Sequence, residues 1–494
     1  MILELLAASM INADFNLIAQ ANDKQTKVVA EKSTQKPAIN TKFPMTQAFI
    51  LPEDNNTKLY NFVEVANKFQ YLTEPVIKDF SARKNDTKQF LKWVDLPTEQ
   101  LAQKGSKSHL DEIYEQANSL KNRKGDIERP LVVLGIGGSK HTAEFLLNMN
   151  GVGNKGKVYF YSDIDPISYE NFLKEVNRPI NELNFLVVSK SGTTFETKDG
   201  FTRFENALIE HYKKQGLADD VAIKAAQSHF AICTDKTPNA KNLRGKIGIR
   251  NGKDNNYIKE LYIHDGVGGR FSMFDDAGLF SIAYAGVPKS NAIRILKSAE
   301  NMSKLCLNKN IQENPAMQSA VFNIYTEVFG FKFKQQQYFG HIFEGGGENW
   351  IKQLYLESLK DFDFAATKAP DSMHYASEGL FYPANRDKYH VVMTVMTPNI
   401  SENYKKYISA ILVSYAEKSP VALEVLDVEN NAIKPEAIGE YVQAKHFEIV
   451  YTGMLRRQIK LSKNERLPEI LQPNVEVYKN KFKPNSPYEL APGK

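Results

Sequence analysis

The run Asn184-Phe185-Leu186-Val187-Val188-Ser189-Lys190-Ser191-Gly192-Thr193-Thr194-Phe195-Glu196-Thr197 decides how the chain is read. Phe185 to Val188 are apolar at consecutive positions, as in a parallel strand covered on both faces. Thr193 or Thr194 suits a helix N-cap, with Glu196 and Thr197 in the first turn. The stretch therefore predicts a buried strand, a hydroxyl-rich loop and a helix start. That junction is where an α/β sheet receives small anions. Hydroxyls, one lysine and a flexible glycine crowd it, and with backbone N–H groups they could hold a phosphate. Taken alone, the stretch reads equally well as a Ser/Thr loop that caps a helix.

Working outward, Leu131 to Leu134 is a short buried strand, followed by the turn Gly135 to Lys140 and a helix through Met149. Lys157–Tyr161 reads as a strand, Ile167–Val176 as its helix, and a long helix runs from the opening stretch to about Lys214. His229–Thr234 and Leu261–His264 are further strands. Strands alternating with helices predict βαβ units and a parallel sheet. A second α/β unit follows. Its expected helices are Ser290–Leu307, Asn314–Phe329, Glu348–Lys360 and Ser401–Glu417. Its expected strands are Gln335–Phe343, His390–Met396 and Val421–Val425. Two helices are expected between Lys434 and Leu461, and a last one after Pro468 that includes Val475–Lys479. Residues 46–128 read as a helical layer, and 1–45 as a helix with a polar connector from Lys27 to Lys42. The fold class is thus α/β: two units with central, mostly parallel sheets, plus helical extensions at both ends. The expected divisions are 1–128, 129–288, 289–465 and 466–494.

The chain has 494 residues, and Lys+Arg minus Asp+Glu is 63 − 58 = +5. The charges are interspersed, which argues against a nucleic-acid surface. Only Cys233 and Cys306 occur, so there is no disulfide framework, and no metal-ligand cluster accompanies them. This composition favours a reducing compartment. Met1 to Ile11 is apolar but carries Glu4, lacks a basic start and is followed by Asn12, Asp14 and Asn16. It reads as an amphipathic helix rather than a signal peptide. No apolar run approaches the roughly 18–20 residues of a membrane span. A cytoplasmic location without membrane attachment is expected.

Several motifs could carry chemistry. Gly135-Ile136-Gly137-Gly138-Ser139 resembles a dinucleotide fingerprint, but the third glycine would fall on Lys140, which disfavours a nucleotide-dependent oxidoreductase. Gly266 to Ser272 sets glycines beside Arg270, whose guanidinium could face a cleft or be a surface charge in a turn. Gln353 and Glu357 are four apart and share a helix face, beside apolar Leu354 and Leu356. Such a carboxylate can serve proton abstraction or be a solvated helix charge. His374, in Asp371 to Tyr375, and Lys479, near the C-terminus, are not specific by themselves.

In this order the pieces resemble the phosphoglucose isomerase family, from about Leu131 to Lys479. The family's Gly-Ile-Gly-Gly-Ser is matched by Gly135 to Ser139, its Ser-Lys-x-x-Thr-Thr-x-Glu-Thr by Ser189 to Thr197, and its Val-Gly-Gly-Arg-[Phe/Tyr]-Ser by Val267 to Ser272. Later motifs are looser. The family's Glu-Ser-x-Gly-Lys meets Glu357-Ser358-Leu359-Lys360-Asp361, without the glycine. Ser372-Met373 precedes His374 in place of the usual Gly-Thr-x-x-Gln-like approach. Gln472, Val475, Glu476 and Lys479 keep the C-terminal pattern.

The resemblance implies two sugar-isomerase (SIS) domains and reversible conversion of glucose 6-phosphate to fructose 6-phosphate through an enediol. It implies that Gly138, Ser139, Ser189, Lys190, Ser191 and Thr194 hold the sugar phosphate. Glu357 would be the base between C1 and C2, and Arg270 the stabiliser of the enediolate. His374 and Lys479 would assist ring opening, while Gln353 and Gln472 position substrate groups. It implies no cofactor and no metal, and a homodimer in which the partner subunit supplies the residue at position 374. A non-catalytic phosphosugar-binding sensor is the alternative, suggested by the departures after Glu357 and before His374.

Overall fold

Two sheets, each packed with helices, organise the chain. This computed structural model describes residues 45–50, 66–67, 69–122, 128–153, 156–192, 194–235, 257–340, 343, 346–369, 378, 388–397, 401–416 and 419–459. The first described element, β1 (Met45–Ile50), is a strand where helical pattern was expected. A segment of helices α1 (Gln70–Arg83), α2 (Leu96–Leu101) and α3 (His109–Asn122) follows, with a small ribbon of β2 (Gln103–Lys104) and β3 (Lys107–Ser108) before α3.

The first sheet contains β4 (Leu131–Leu134), β5 (Val158–Tyr161), β6 (Asn184–Val188), β7 (Phe230–Asp235) and β8 (Ile258–Ile263). Its spatial order is β5-β4-β6-β7-β8, and every pairing is parallel. All residues of β6 are buried, as the continuous apolar run predicted. The helices α4 (Gly138–Met149), α5 (Pro166–Val176), α6 (Phe195–Lys214), α7 (Asp219–Gln227) and α8 (Asp276–Tyr284) accompany this sheet. The sequence reading missed α7 and α8. Every residue of α8 is buried, so it has no polar face to set a helical period.

Next come α9 (Lys289–Cys306) and α10 (Pro315–Val328), then β9 (Phe333–Phe339), α11 (Gly346–Leu359), β10 (Asp363–Ala369), β11 (Tyr389–Thr397), α12 (Glu402–Ala416), β12 (Val421–Glu429) and α13 (Pro435–Gln458). The second sheet runs β1-β12-β11-β9-β10. Its strands are parallel except β1, which lies antiparallel along β12, and the two-residue strand Ala432–Ile433, which pairs antiparallel with the end of β12. Strand β1 is thus defined by a partner nearly 380 positions away, beyond the reach of local propensity. The two helices expected between Lys434 and Leu461 are instead one helix of 24 residues. From Ala437 to Arg456 every residue is buried, so the apolar stripe that delimits a surface helix is lost.

Its burial brings charges inside. Lys334 Nζ lies 2.8 Å from Glu448 Oε1, and Lys445 Nζ lies 2.8 Å from Glu448 Oε2. Lys445 also pairs with Glu424, whose Oε2 accepts from Thr394 Oγ1 at 2.8 Å. Two lysines and two glutamates, all buried, therefore balance to zero net charge. Tyr355 of α11 joins them, bonding Lys334 and Glu448. The network fixes α11 two residues before Glu357.

Candidate active site

The site is built where the turn after β4 meets α11. Gly135 lies against the β6 end: a β-carbon there would sit 3.4 Å from Val188 O and 3.1 Å from Ser139 Cβ. Gly137 has φ +56°, a left-handed conformation suited to glycine, and a β-carbon on it would stand 2.9 Å from Gln353 Nε2. At Gly138 a β-carbon would fall 2.1 Å from the carbonyl carbon of Gly269, so the turn can touch the Arg270 loop only as glycine. The Gly-Gly pair thus lets three chain segments meet: the β4–α4 turn, residues 266–272, and α11.

Helix α11 places Gln353 and Glu357 one turn apart, and Gln353 Nε2 donates to Glu357 Oε1 at 2.8 Å. Gln353 Oε1 is buried and has no hydrogen-bond partner among the described residues, leaving an acceptor for a ligand hydroxyl. Arg270, 1% exposed, reaches the other carboxylate oxygen: Nη1 lies 3.4 Å from Glu357 Oε2. Its Nε donates to Ser358 Oγ at 2.8 Å, and its carbonyl accepts from Trp350 Nε1 at 3.0 Å. Sequence reasoning missed Ser358 and Trp350 as supports of Arg270. Ser358 was visible as the second residue of the Glu-Ser pair; nothing local marked Trp350. The Glu357 side chain is 25% exposed, so the carboxylate is held from inside and open on one side.

The phosphate-loop candidates lie across the same turn. Ser139 is half-buried in the first turn of α4. Ser189 is buried, and its Oγ accepts from Gly192 N at 3.1 Å, which curls the loop. Ser191 is exposed. Thr194 occupies the N-cap position of α6, but its hydroxyl makes no capping bond. The cap expected of Thr193 or Thr194 is therefore positional only at Thr194. Thr197, in the first turn, is buried with its hydroxyl unpartnered among the described residues. The Lys190 ammonium donates to the carbonyls of His264 at 3.3 Å and Val267 at 3.2 Å. Burial draws it below the usual lysine range, against the pull of Asp265, Asp275 and Asp235. Lys190 thereby straps the Ser189–Thr194 loop to the loop that ends in Arg270. His374, Gln472, Lys479 and Thr193 lie outside the described residues.

Behind Arg270, fully buried His446 of α13 sits among Trp93, Phe271 and Trp350, with ring centroids 5.1, 5.1 and 5.8 Å away. Neither ring nitrogen has a hydrogen-bond partner among the described residues. Burial, and then the Arg270 charge, hold its pKa down to about 3, and the nearby Arg270 backbone opposes this only in part.

Fold and site together define an α/β protein with two mostly parallel sheets and a carboxylate–amide–guanidinium group where they meet. A family model described as Phosphoglucose isomerase matches residues 81–359, and the chain belongs to that family. It is 31% identical over 233 residues to a glucose-6-phosphate isomerase of Borreliella burgdorferi (strain ZS7), a match covering 44% of this chain and 39% of that protein. A glucose-6-phosphate isomerase of Clostridium tetani is 27% identical over 327 residues, covering 62% of this chain and 63% of that one. The chain thus spans about two fifths of the Borreliella relative's length in that match. The fold is shared with a glucose-6-phosphate isomerase structure from Chlamydia trachomatis: TM-score 0.63 at 15% identity, covering 97% of this chain and 93% of that one. A hypothetical protein of Thermus thermophilus shares it too, with TM-score 0.66 at 21% identity over 85% of this chain and 95% of that one.

Proposed function

We propose that the chain interconverts glucose 6-phosphate and fructose 6-phosphate by moving one proton between C2 and C1. The observation that carries this reading is the single half-open carboxylate of Glu357, held by Gln353 at 2.8 Å and Arg270 at 3.4 Å against the glycine turn. One carboxylate suffices, because the two carbons are adjacent and both present the proton on one face of a planar enediol. As the base takes the proton, negative charge grows on the neighbouring oxygen, and the buried Arg270 supplies a fixed counter-charge. Gln353 Oε1 is placed to accept from a substrate hydroxyl. Gly138, Ser139, Ser189, Ser191 and Thr194 surround the phosphate in this reading, and Lys190 acts by bracing their loop.

His374 and Lys479 open the sugar ring, Gln472 positions substrate, and the chain works as a cytoplasmic homodimer in which the partner subunit's His374 completes the site. No redox partner is required, because C1 and C2 exchange oxidation level within one molecule. Among the described residues no helix is long and apolar enough to cross a membrane.

A coupled assay with either hexose phosphate tests the reading. Turnover in D2O should place deuterium at C1 or C2, because a carboxyl proton exchanges with solvent between abstraction and return. Glu357→Gln should lower kcat on the order of a thousandfold while still binding the hexose phosphate. Full activity in that variant would remove the base assignment. Binding without turnover by the wild-type chain would select the sensor alternative.

A further inference from the structure

A second group of chemically competent side chains lies behind the Arg270 loop. His109 opens α3, His264 follows β8, and Asp275 and Asp276 stand at the start of α8. His109, His264 and Asp276 each offer one donor atom, and the three atoms lie within 4.8 Å of one another. None of them has a part in the isomerase reading.

We propose that His109, His264 and Asp276 bind one divalent transition-metal ion of the zinc or cobalt class. Two imidazole nitrogens and a carboxylate are the donor set such ions take, and the fourth position falls to water. The surroundings already orient the donors. His109 Nδ1 lies 2.8 Å from Glu112 Oε2, which turns Nε2 toward Asp276 Oδ2 at 2.9 Å. A ring nitrogen tied to a carboxylate, with the other aimed at the ion, is how ligand histidines are held. Asp276 is oriented by Gln100 Nε2 at 3.0 Å and by the backbone N–H of Tyr262 at 2.7 Å. His264 Nδ1 stands 3.9 Å from Asp276 Oδ1 and 2.6 Å from Asp275 Oδ1. It shifts from Asp275 to the ion, and Asp275 remains as the neighbouring counter-charge.

Charge balance permits the exchange of protons for an ion. Asp275 and Asp276 are both fully buried. Two buried carboxylates need two positive charges nearby. Protons on the two rings supply them, and so does a single M²⁺ between neutral rings, the displaced protons going to solvent. The His264 side chain is 24% exposed, which gives the ion its path in. The bound ion would join α3, the β8 end and α8 at one point. The carbonyl of His264 already receives Lys190, so the clamp would sit directly behind the loop that carries Arg270.

The test uses the full chain, free of affinity tag and stripped with a chelator that is then removed. Co²⁺ titration should raise visible d–d absorption that saturates at one ion per chain, and Zn²⁺ should bleach it. Zn²⁺ should also raise the thermal midpoint of the wild type. Asp276→Asn and His264→Ala should lose both effects. Glu112→Gln, at a half-exposed position and therefore safe for folding, should weaken Co²⁺ ten- to a hundredfold. The proposal fails if the wild type gives no Co²⁺ spectrum and no shift in midpoint. It fails equally if Glu112→Gln and any variant that folds bind Co²⁺ as tightly as the wild type, because the ion would then sit elsewhere.

Discussion

Arg270 is the residue whose surroundings explain most of the site. A guanidinium 1% exposed keeps its charge only if its donors are matched, and Ser358 and Glu357 receive them from the same helix turn. The turn's end also accounts for a departure from the family pattern. Where the family reads glycine, this chain has Lys360 at φ +48°, so the left-handed conformation is kept without the residue that suits it. Its ammonium folds back onto the Glu357 carbonyl. Lys360→Gly should therefore stabilise the protein by about 1 kcal/mol, read as a higher urea midpoint at unchanged m-value. A lower midpoint would mean that the lysine's contact outweighs its backbone strain.

At the scale of elements, α11 is held from two sides: by Arg270 on one and by the buried lysine–glutamate network on the other. Tyr355 carries the second link, through Lys334 and Glu448. Removing one member strands a buried charge, so Lys334→Met or Glu448→Gln should each cost about 3–5 kcal/mol. Together they leave Lys445 paired with Glu424. The double variant should therefore lose about 1–3 kcal/mol less than the sum of the singles in denaturant titrations. Strict additivity would show that the charges do not act as one network.

Nothing in the sequence announced this network, whose members at 334, 424, 445 and 448 meet only through β9, β12 and α13. The same holds for His109, which meets Asp276 from 167 positions away. What could be read were features written in contiguous residues. The apolar run of β6 and the glycine turn after β4 are of this kind, as is the one-turn spacing of Gln353 and Glu357. Strands β4 and β6 of the first sheet were legible because burial on both faces leaves an unbroken apolar run. Asp363–Ala369 was not, since its alanines and charges acquire strand geometry from pairing with β9.

On the scale of the whole molecule, the two sheets are joined by α4 packing on α11, with Phe145 and Trp350 rings 5.3 Å apart, and by α13 threading the interior behind them. That arrangement buries two histidines, His390 and His446, in their neutral forms. Burial holds each at about 3, assisted by Lys334 for His390 and by Arg270 for His446. In the unfolded chain a histidine titrates near 6.5. Between pH 6.5 and about 3 the unfolded state therefore binds the extra protons, and stability must fall as pH falls through this window. Each ring contributes a slope of about 1.4 kcal/mol per pH unit. Glutamates, titrating at about 4.3, already take up protons in the lower half of the interval from 6.5 to about 4.5, so the slope of one ring is read as the difference between the wild type and a variant that lacks it. His446→Phe keeps an aromatic ring among Trp93, Phe271 and Trp350 and removes two nitrogens that have no partner among the described residues. Its stability at pH 7 should equal or exceed the wild type's. Its loss on acidification should be shallower by about 1.4 kcal/mol per unit in that interval. Parallel pH profiles for the two proteins would mean that position 446 takes up a proton inside the folded core, and that Arg270 tolerates a second positive charge at its back.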